Sequence, residues 1–154
     1  MRAYEDVQLK LPLTTVRDGL SGKGLFAMEN IRSGRRICEY IGNRISYEQE
    51  DEVEAGLHEM DKDINVFADV PSIEMVIDTR GCGNKAMFAN HSCDENAILK
   101  EWEVPRTGKV LVFLYATKFI RMDTEILLNY GFDSIRTSHV IMCDCGSKQC
   151  QKYI

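Results

Sequence analysis

The longest uninterrupted apolar run in this chain is Val110–Ala116, seven residues. The other apolar groups are shorter still, each soon broken by a glycine, proline, asparagine or charged residue. Runs of this length, rich in Val, Leu, Phe and Tyr, suit short strands. They fall far below the ~18 residues that a membrane span needs. The chain is therefore read as a mainly-β domain of many short strands.

Alternation over Val7–Val16 predicts a strand, with Pro12 at an edge or a break. The glycine-rich stretch RDGLSGKGLFAME (17–29) reads as a loop entering a strand at Leu25–Ala27, and Arg36–Ile41 as a further strand ended by Gly42. Ser46 to about Met60 is the one substantial helix: Ser46 can cap it, acids fill its first turn, and Val53 and Leu57 lie one turn apart. Asn65–Val70 and Met75–Asp78 form a hairpin across Pro71-Ser72. Lys85–Ala89 can form one helical turn. Strands are expected at Ala97–Glu103 and Lys109–Ala116, joined by the turn Pro105-Arg106-Thr107-Gly108, and at Ile126–Tyr130.

A chain of 154 residues that is 44% apolar can bury one ordinary core. Its net charge of -5 argues against holding nucleic acid through phosphate contacts, which require clustered Lys and Arg; no sequence-specific nucleic-acid binding is expected. The acidic run Glu48–Glu54 fits a solvated helix face and could also steer a basic peptide. The N-terminal MRAYEDVQLK has no apolar core of a secretory signal, so an intracellular protein without membrane association is expected.

The six cysteines therefore read as reduced thiols or metal ligands rather than a disulfide framework. Cys38 and Cys82 stand alone. Cys143, Cys145 and Cys150 form C-x-C-x4-C, a spacing suited to a tetrahedral zinc that still lacks its fourth ligand.

Three further stretches carry polar chemistry: the turn Gly22-Lys23-Gly24, where missing side chains let a ligand approach the backbone; Asn90-His91-Ser92-Cys93-Asp94-Glu95-Asn96; and Asn129-Tyr130-Gly131 at the end of an apolar strand. Taken singly, each reads as a tight turn, a loop histidine and a packed aromatic. In this order, together with Glu39-Tyr40-Ile41-Gly42, GNKAMFANHSCDEN, ILLNYG and the cysteine tail, they resemble the SET-domain family of protein lysine methyltransferases.

That resemblance implies a SET domain over residues 7–133, with a helical insert at about 46–64, and a post-SET zinc segment over 138–154. The fold it implies is one of small sheets, in which the N-H-S-C segment and the terminal tyrosine strand make a knot-like crossing. The implied activity is methyl transfer from S-adenosylmethionine to a lysine of a histone or other Lys-rich tail, in the nucleus, by a domain expected to be monomeric in isolation. Tyr130 is the implied catalytic tyrosine. Gly22, Lys23, Gly24, Leu25, Met87, Asn90, His91 and Tyr130 are expected at the cofactor, and Val66, Phe67 and Leu128 along the lysine channel. Cys93 becomes the fourth ligand of one zinc ion beside Cys143, Cys145 and Cys150.

The chain departs from the family pattern at several places. Met87 stands where an Arg is usual, Glu95 where a Pro is, Asn129 where an acid is, and Leu128 where an aromatic is. Val66 and Phe67 occupy the strand that often supplies a channel tyrosine. These changes support an alternative, a catalytically weak SET-fold module that binds a basic peptide or chromatin partner.

Overall fold

A computed structural model describes residues 10–19, 22–59, 67–131 and 142–153. Ten strands and one α-helix are defined among them, and the strands form three small sheets.

The first sheet is a hairpin of β1 (Thr14–Gly19) and β2 (Gly22–Ala27), antiparallel from Thr14↔Ala27 to Gly19↔Gly22. Residues 17–19 and 22–24, expected as loop, are thus strand, because the glycines pair (Gly19↔Gly22) instead of interrupting the ladder. Gly22, the first residue of β2, takes φ +92°, a region that glycine enters without steric cost. The expected N-terminal strand begins only at Thr14, and residues 1–9 lie outside the described residues.

The second sheet has the order β3 (Arg36–Glu39), β9 (Val110–Ala116), β8 (Ala97–Glu103), β10 (Leu127–Leu128), β7 (Asn90–His91). The strands β3, β9 and β8 pair antiparallel, whereas β10 runs parallel to both β8 and β7. Inserted between β7 and β8, which are successive in sequence, β10 lies beneath the Ser92–Asn96 connection. Ser92 and Asn96 donate their amides to the Leu128 and Leu127 carbonyls at 2.8 and 3.1 Å. The N-H-S-C segment and the terminal strand are thereby interleaved, as the family resemblance implied.

The third sheet, in the order β4 (Asn43–Ile45), β6 (Met75–Asp78), β5 (Phe67–Val70), carries α1 (Tyr47–Glu59) as an excursion from β4. The strand β4 was not anticipated; its three residues are too few to show a period. The cap of α1 is reciprocal. Ser46 N–H donates to Gln49 Oε1 at 2.9 Å, and Gln49 N–H to Ser46 Oγ at 3.3 Å, satisfying two amides that a helix start leaves unpaired. The remainder of the expected helical insert, 60–64, lies outside the described residues. Pro71–Ile73 forms a short 3-10 turn between β5 and β6, with Glu74 in the left-handed region.

Leu25, Ile37, Leu114 and Ile126 are 0% exposed and come from β2, β3, β9 and the segment leading into β10. They join the hairpin to the five-stranded sheet in one core. At about 1.5–3 kcal/mol per buried side chain of this size, that junction holds the N-H-S-C segment and Tyr130 against the same scaffold. No helix among the described residues is long and apolar enough to cross a membrane.

Candidate active site

A short 3-10 turn, Lys85–Phe88, delivers the chain into β7. Asn84 caps it: Oδ1 accepts from Ala86 N–H at 3.2 Å, and Nδ2 donates to the Glu39 carbonyl at 2.8 Å. Ala86 and Ala89 are buried, and their small side chains let the turn lie against the hairpin. Asn90 and His91 then pair with Leu127 and Leu128, which brings the end of the N-H-S-C segment beside Tyr130.

Tyr130 is held at three points. Its hydroxyl donates to the Ala89 carbonyl at 2.8 Å, its amide donates to His91 Nδ1 at 3.1 Å, and its ring lies 5.3 Å from the imidazole, centre to centre. Because Nδ1 accepts, neutral His91 carries its proton on Nε2, which sits 3.5 Å from Cys93 Sγ. Burial lowers the His91 pKa from its ordinary value against the opposing charge of Glu95, which favours the neutral ring. With both nitrogens engaged, His91 orients the tyrosine segment and has no lone pair to spare as a base.

Asn90 reaches the hairpin. Its Nδ2 donates to the Lys23 carbonyl at 3.0 Å and to Glu125 Oε1 at 2.8 Å. Gly22 and Lys23 are exposed, whereas Gly24 and Leu25 are buried. The Leu25 carbonyl accepts from Ile126 N–H at 2.7 Å, and Phe26 bridges to Glu125, so residues 124–126 run beside β2. This places the Glu125 carboxylate over Gly24: a Cβ on residue 24 would lie 2.3 Å from Glu125 Oε1. The second glycine of the turn therefore makes room for Glu125, not only for an approaching ligand.

Glu125 and Asn96 are the residues that sequence reasoning missed. Asn96 Nδ2 donates to the Glu125 carbonyl at 2.8 Å and Oδ1 accepts from Leu127 N–H at 2.9 Å. Nothing local marks Glu125, which follows Asp123 by two residues; its partners lie on other strands.

Of the channel candidates, Phe67 is half-buried in β5 with the Arg80 guanidinium 5.4 Å from its ring centre. Leu128 is buried in the core, and Val66 lies outside the described residues. Met87 is half-buried in the 3-10 turn. Arg80 is fixed by a bidentate pair with the Asp78 carboxylate at 2.9 and 2.7 Å. Burial alone would raise the Asp78 carboxyl, but the hydrogen bonds and charge of Arg80 hold it below 3.8.

The sulfurs of Cys93, Cys143, Cys145 and Cys150 all lie within 4.8 Å of one another, with Cys93 and Cys143 at 3.7 Å. A tetrahedral zinc with Zn–S near ~2.3 Å sets its sulfurs about 3.8 Å apart, so the four residues fit one metal ion. Backbone amides support the sulfurs: Gln151 N–H donates to Cys93 at 3.3 Å and Lys152 N–H to Cys150 at 3.4 Å. Burial pushes the Cys143 thiol up to about 12, while backbone hydrogen bonds at Cys93 and Ser147 bring Cys145 down to about 6. Four thiolates this close would repel one another unless a cation stood between them.

Comparison with known families matches residues 22–131 to the SET domain. This chain belongs to the SET-domain family. The matched span runs from β2 through the five- and three-stranded sheets to Tyr130; β1 precedes it and the Cys143–Cys150 tail follows it. Over 138 residues, 90% of the chain, it is 31% identical to "Histone-lysine N-methyltransferase trr" of Drosophila melanogaster. It is 30% identical to "Probable histone-lysine N-methyltransferase set-23" of Caenorhabditis elegans over 96% of the chain. It is 29% identical to "Histone-lysine N-methyltransferase, H3 lysine-36 specific" of Mus musculus over 99% of the chain. The chain spans 6%, 61% and 6% of those proteins' own lengths.

Proposed function

We propose that this SET domain is an S-adenosylmethionine-dependent protein lysine N-methyltransferase acting on a histone tail in chromatin. The observation that carries the reading is that Asn90 reaches the exposed Lys23 backbone while the adjacent His91 holds Tyr130, in a chain whose relatives bear that enzyme name.

When bound, S-adenosylmethionine supplies an electrophilic methyl group on a sulfonium. The chain's residues suit the methionine end of such a cofactor: both Asn90 N–H groups are used, and its Oδ1 makes no hydrogen bond among the described residues. An acceptor of that kind fits an ammonium. The substrate is a neutral lysine amine, present as roughly one molecule in a few thousand in water at pH 7. Desolvation and a nearby positive charge enlarge that fraction, so the site needs no strong base.

The Tyr130 proton is committed to Ala89, so the phenol oxygen acts as an acceptor. It can orient an amine N–H or a polarised methyl C–H, and rate arises chiefly from alignment in a closed channel. Zinc is the metal proposed for the four cysteines, fastening the tail through Cys93 beside His91. The exposed acids Glu48, Asp51 and Glu52 of α1 favour approach of a basic tail.

The second reading, a binding module, is favoured by Leu128, which is buried in the core where the family usually has an aromatic. Titration calorimetry with S-adenosylmethionine tests the cofactor site: saturable binding that Asn90→Ala weakens supports it, and no binding by the folded, zinc-loaded protein rejects it. Turnover on core histones then separates enzyme from module.

A further inference from the structure

The Glu125 carboxylate occupies an unusual position. It sits in a notch made by two glycines, where a Cβ would stand 3.0 Å from Oε1 at residue 19 and 2.3 Å at residue 24. From there it accepts the second N–H of Asn90, the first being taken by the Lys23 carbonyl. A carboxylate and a peptide carbonyl both require a donor, so the amide of Asn90 has only one satisfactory orientation, nitrogen toward the hairpin and Glu125. Flipping it would set Oδ1 against two acceptors. The backbone of residues 124–126 is itself pinned, by Ala27 N–H to Thr124, Ile126 N–H to Leu25 and Asn96 Nδ2 to the Glu125 carbonyl.

We infer that Glu125 is a positioning residue that fixes the polarity of the cofactor site by locking Asn90 with Oδ1 as the acceptor for the cofactor's α-ammonium. The inference rests on the cofactor reading above and deepens it. Glu125 acts through Asn90: without the carboxylate, one Asn90 N–H loses its partner, and the amide is free to rotate and offer nitrogen where oxygen is needed.

The probes are S-adenosylhomocysteine and its analogue lacking the α-amino group, titrated by calorimetry into zinc-loaded parent, Glu125→Ala, Glu125→Gln, Asn90→Ala and the Glu125→Ala/Asn90→Ala double variant. An Asn90 amide that offers oxygen in only about one conformer in ten lowers affinity about tenfold. Glu125→Ala is expected to weaken S-adenosylhomocysteine about that much and leave the deaminated analogue within about twofold of the parent value. The double variant should be no worse than Asn90→Ala. Glu125→Gln keeps an oxygen acceptor and should fall between parent and Glu125→Ala; it also serves if Glu125→Ala fails to fold. Equal losses for both probes, multiplying losses in the double variant, or unchanged affinity in the Glu125 variants would each overturn the role of Glu125. A parent that binds neither probe would instead overturn the cofactor reading on which it rests.

Discussion

Replacing Gly24 by Ala probes the packing on which the site depends. The new Cβ would meet Glu125 Oε1 at 2.3 Å, Glu125 Cδ at 2.9 Å and Phe26 Cε2 at 3.1 Å. Phe26 is only 8% exposed and lies under the Arg17 guanidinium at 4.0 Å, so the glutamate must move. Its departure breaks the hydrogen bond to Asn90, worth about 1.5–3 kcal/mol for an ionised acceptor. Removing glycine from the unfolded chain returns about 0.4–1 kcal/mol. The net loss is about 1–2 kcal/mol, which at this size lowers Tm by about 2–8 °C. Differential scanning fluorimetry of the four proteins of a Gly24→Ala/Glu125→Ala cycle measures it. The alanine should cost much less once the carboxylate is gone, with only the 3.1 Å approach to Phe26 Cε2 remaining, giving a coupling of about 1 kcal/mol or more. Losses that add to within about 0.3 kcal/mol would refute the steric account of Gly24.

Asp78→Asn should destabilise the domain by about 1–2 kcal/mol at pH 7. Since the native carboxyl lies below 3.8, its contribution is complete above the unfolded pKa and is lost as pH falls through the native value. The difference between parent and variant in urea melts should therefore shrink below about pH 4; a gap independent of pH would count against the ion pair. Gly56→Ala, where a Cβ on α1 meets nothing within 4 Å, should raise stability by about 0.5–1 kcal/mol in the same melts. For the metal, inductively coupled plasma analysis should find near one zinc per parent chain, and Cys93→Ser should release it to a mild chelator; retention as tight as in the parent would remove Cys93 from the ligand set.

Much of this was legible because spacing carried it. The seven-residue strands at 97–103 and 110–116 were read almost to the residue, since β-branched and aromatic runs bounded by a glycine turn leave little choice. Ser46 was foreseen as the cap of α1. The three-cysteine spacing left a ligand missing, and the family resemblance pointed to Cys93, whose sulfur the fold brings to the other three. What sequence could not show was contact between distant segments. The strands β4 and β7 have three and two residues, too short for periodicity, and exist because neighbours pair with them. The glycines at 22 and 24 read as a loop, yet Gly22 pairs with Gly19 and Gly24 yields space to a side chain a hundred residues onward. Glu125 was overlooked because its partners, Asn90 and the glycine notch, belong to other strands.

The central claim is tested most directly by methyl transfer from radiolabelled S-adenosylmethionine to core histones, with parent and Tyr130→Phe compared at equal zinc content and equal cofactor occupancy. The account predicts label on lysine with the parent and a loss of most turnover in Tyr130→Phe, whose fold and cofactor affinity persist. Equal labelling by the two proteins would remove Tyr130 from its catalytic role. No labelling by the cofactor-bound parent would contradict histone methylation and favour the binding module.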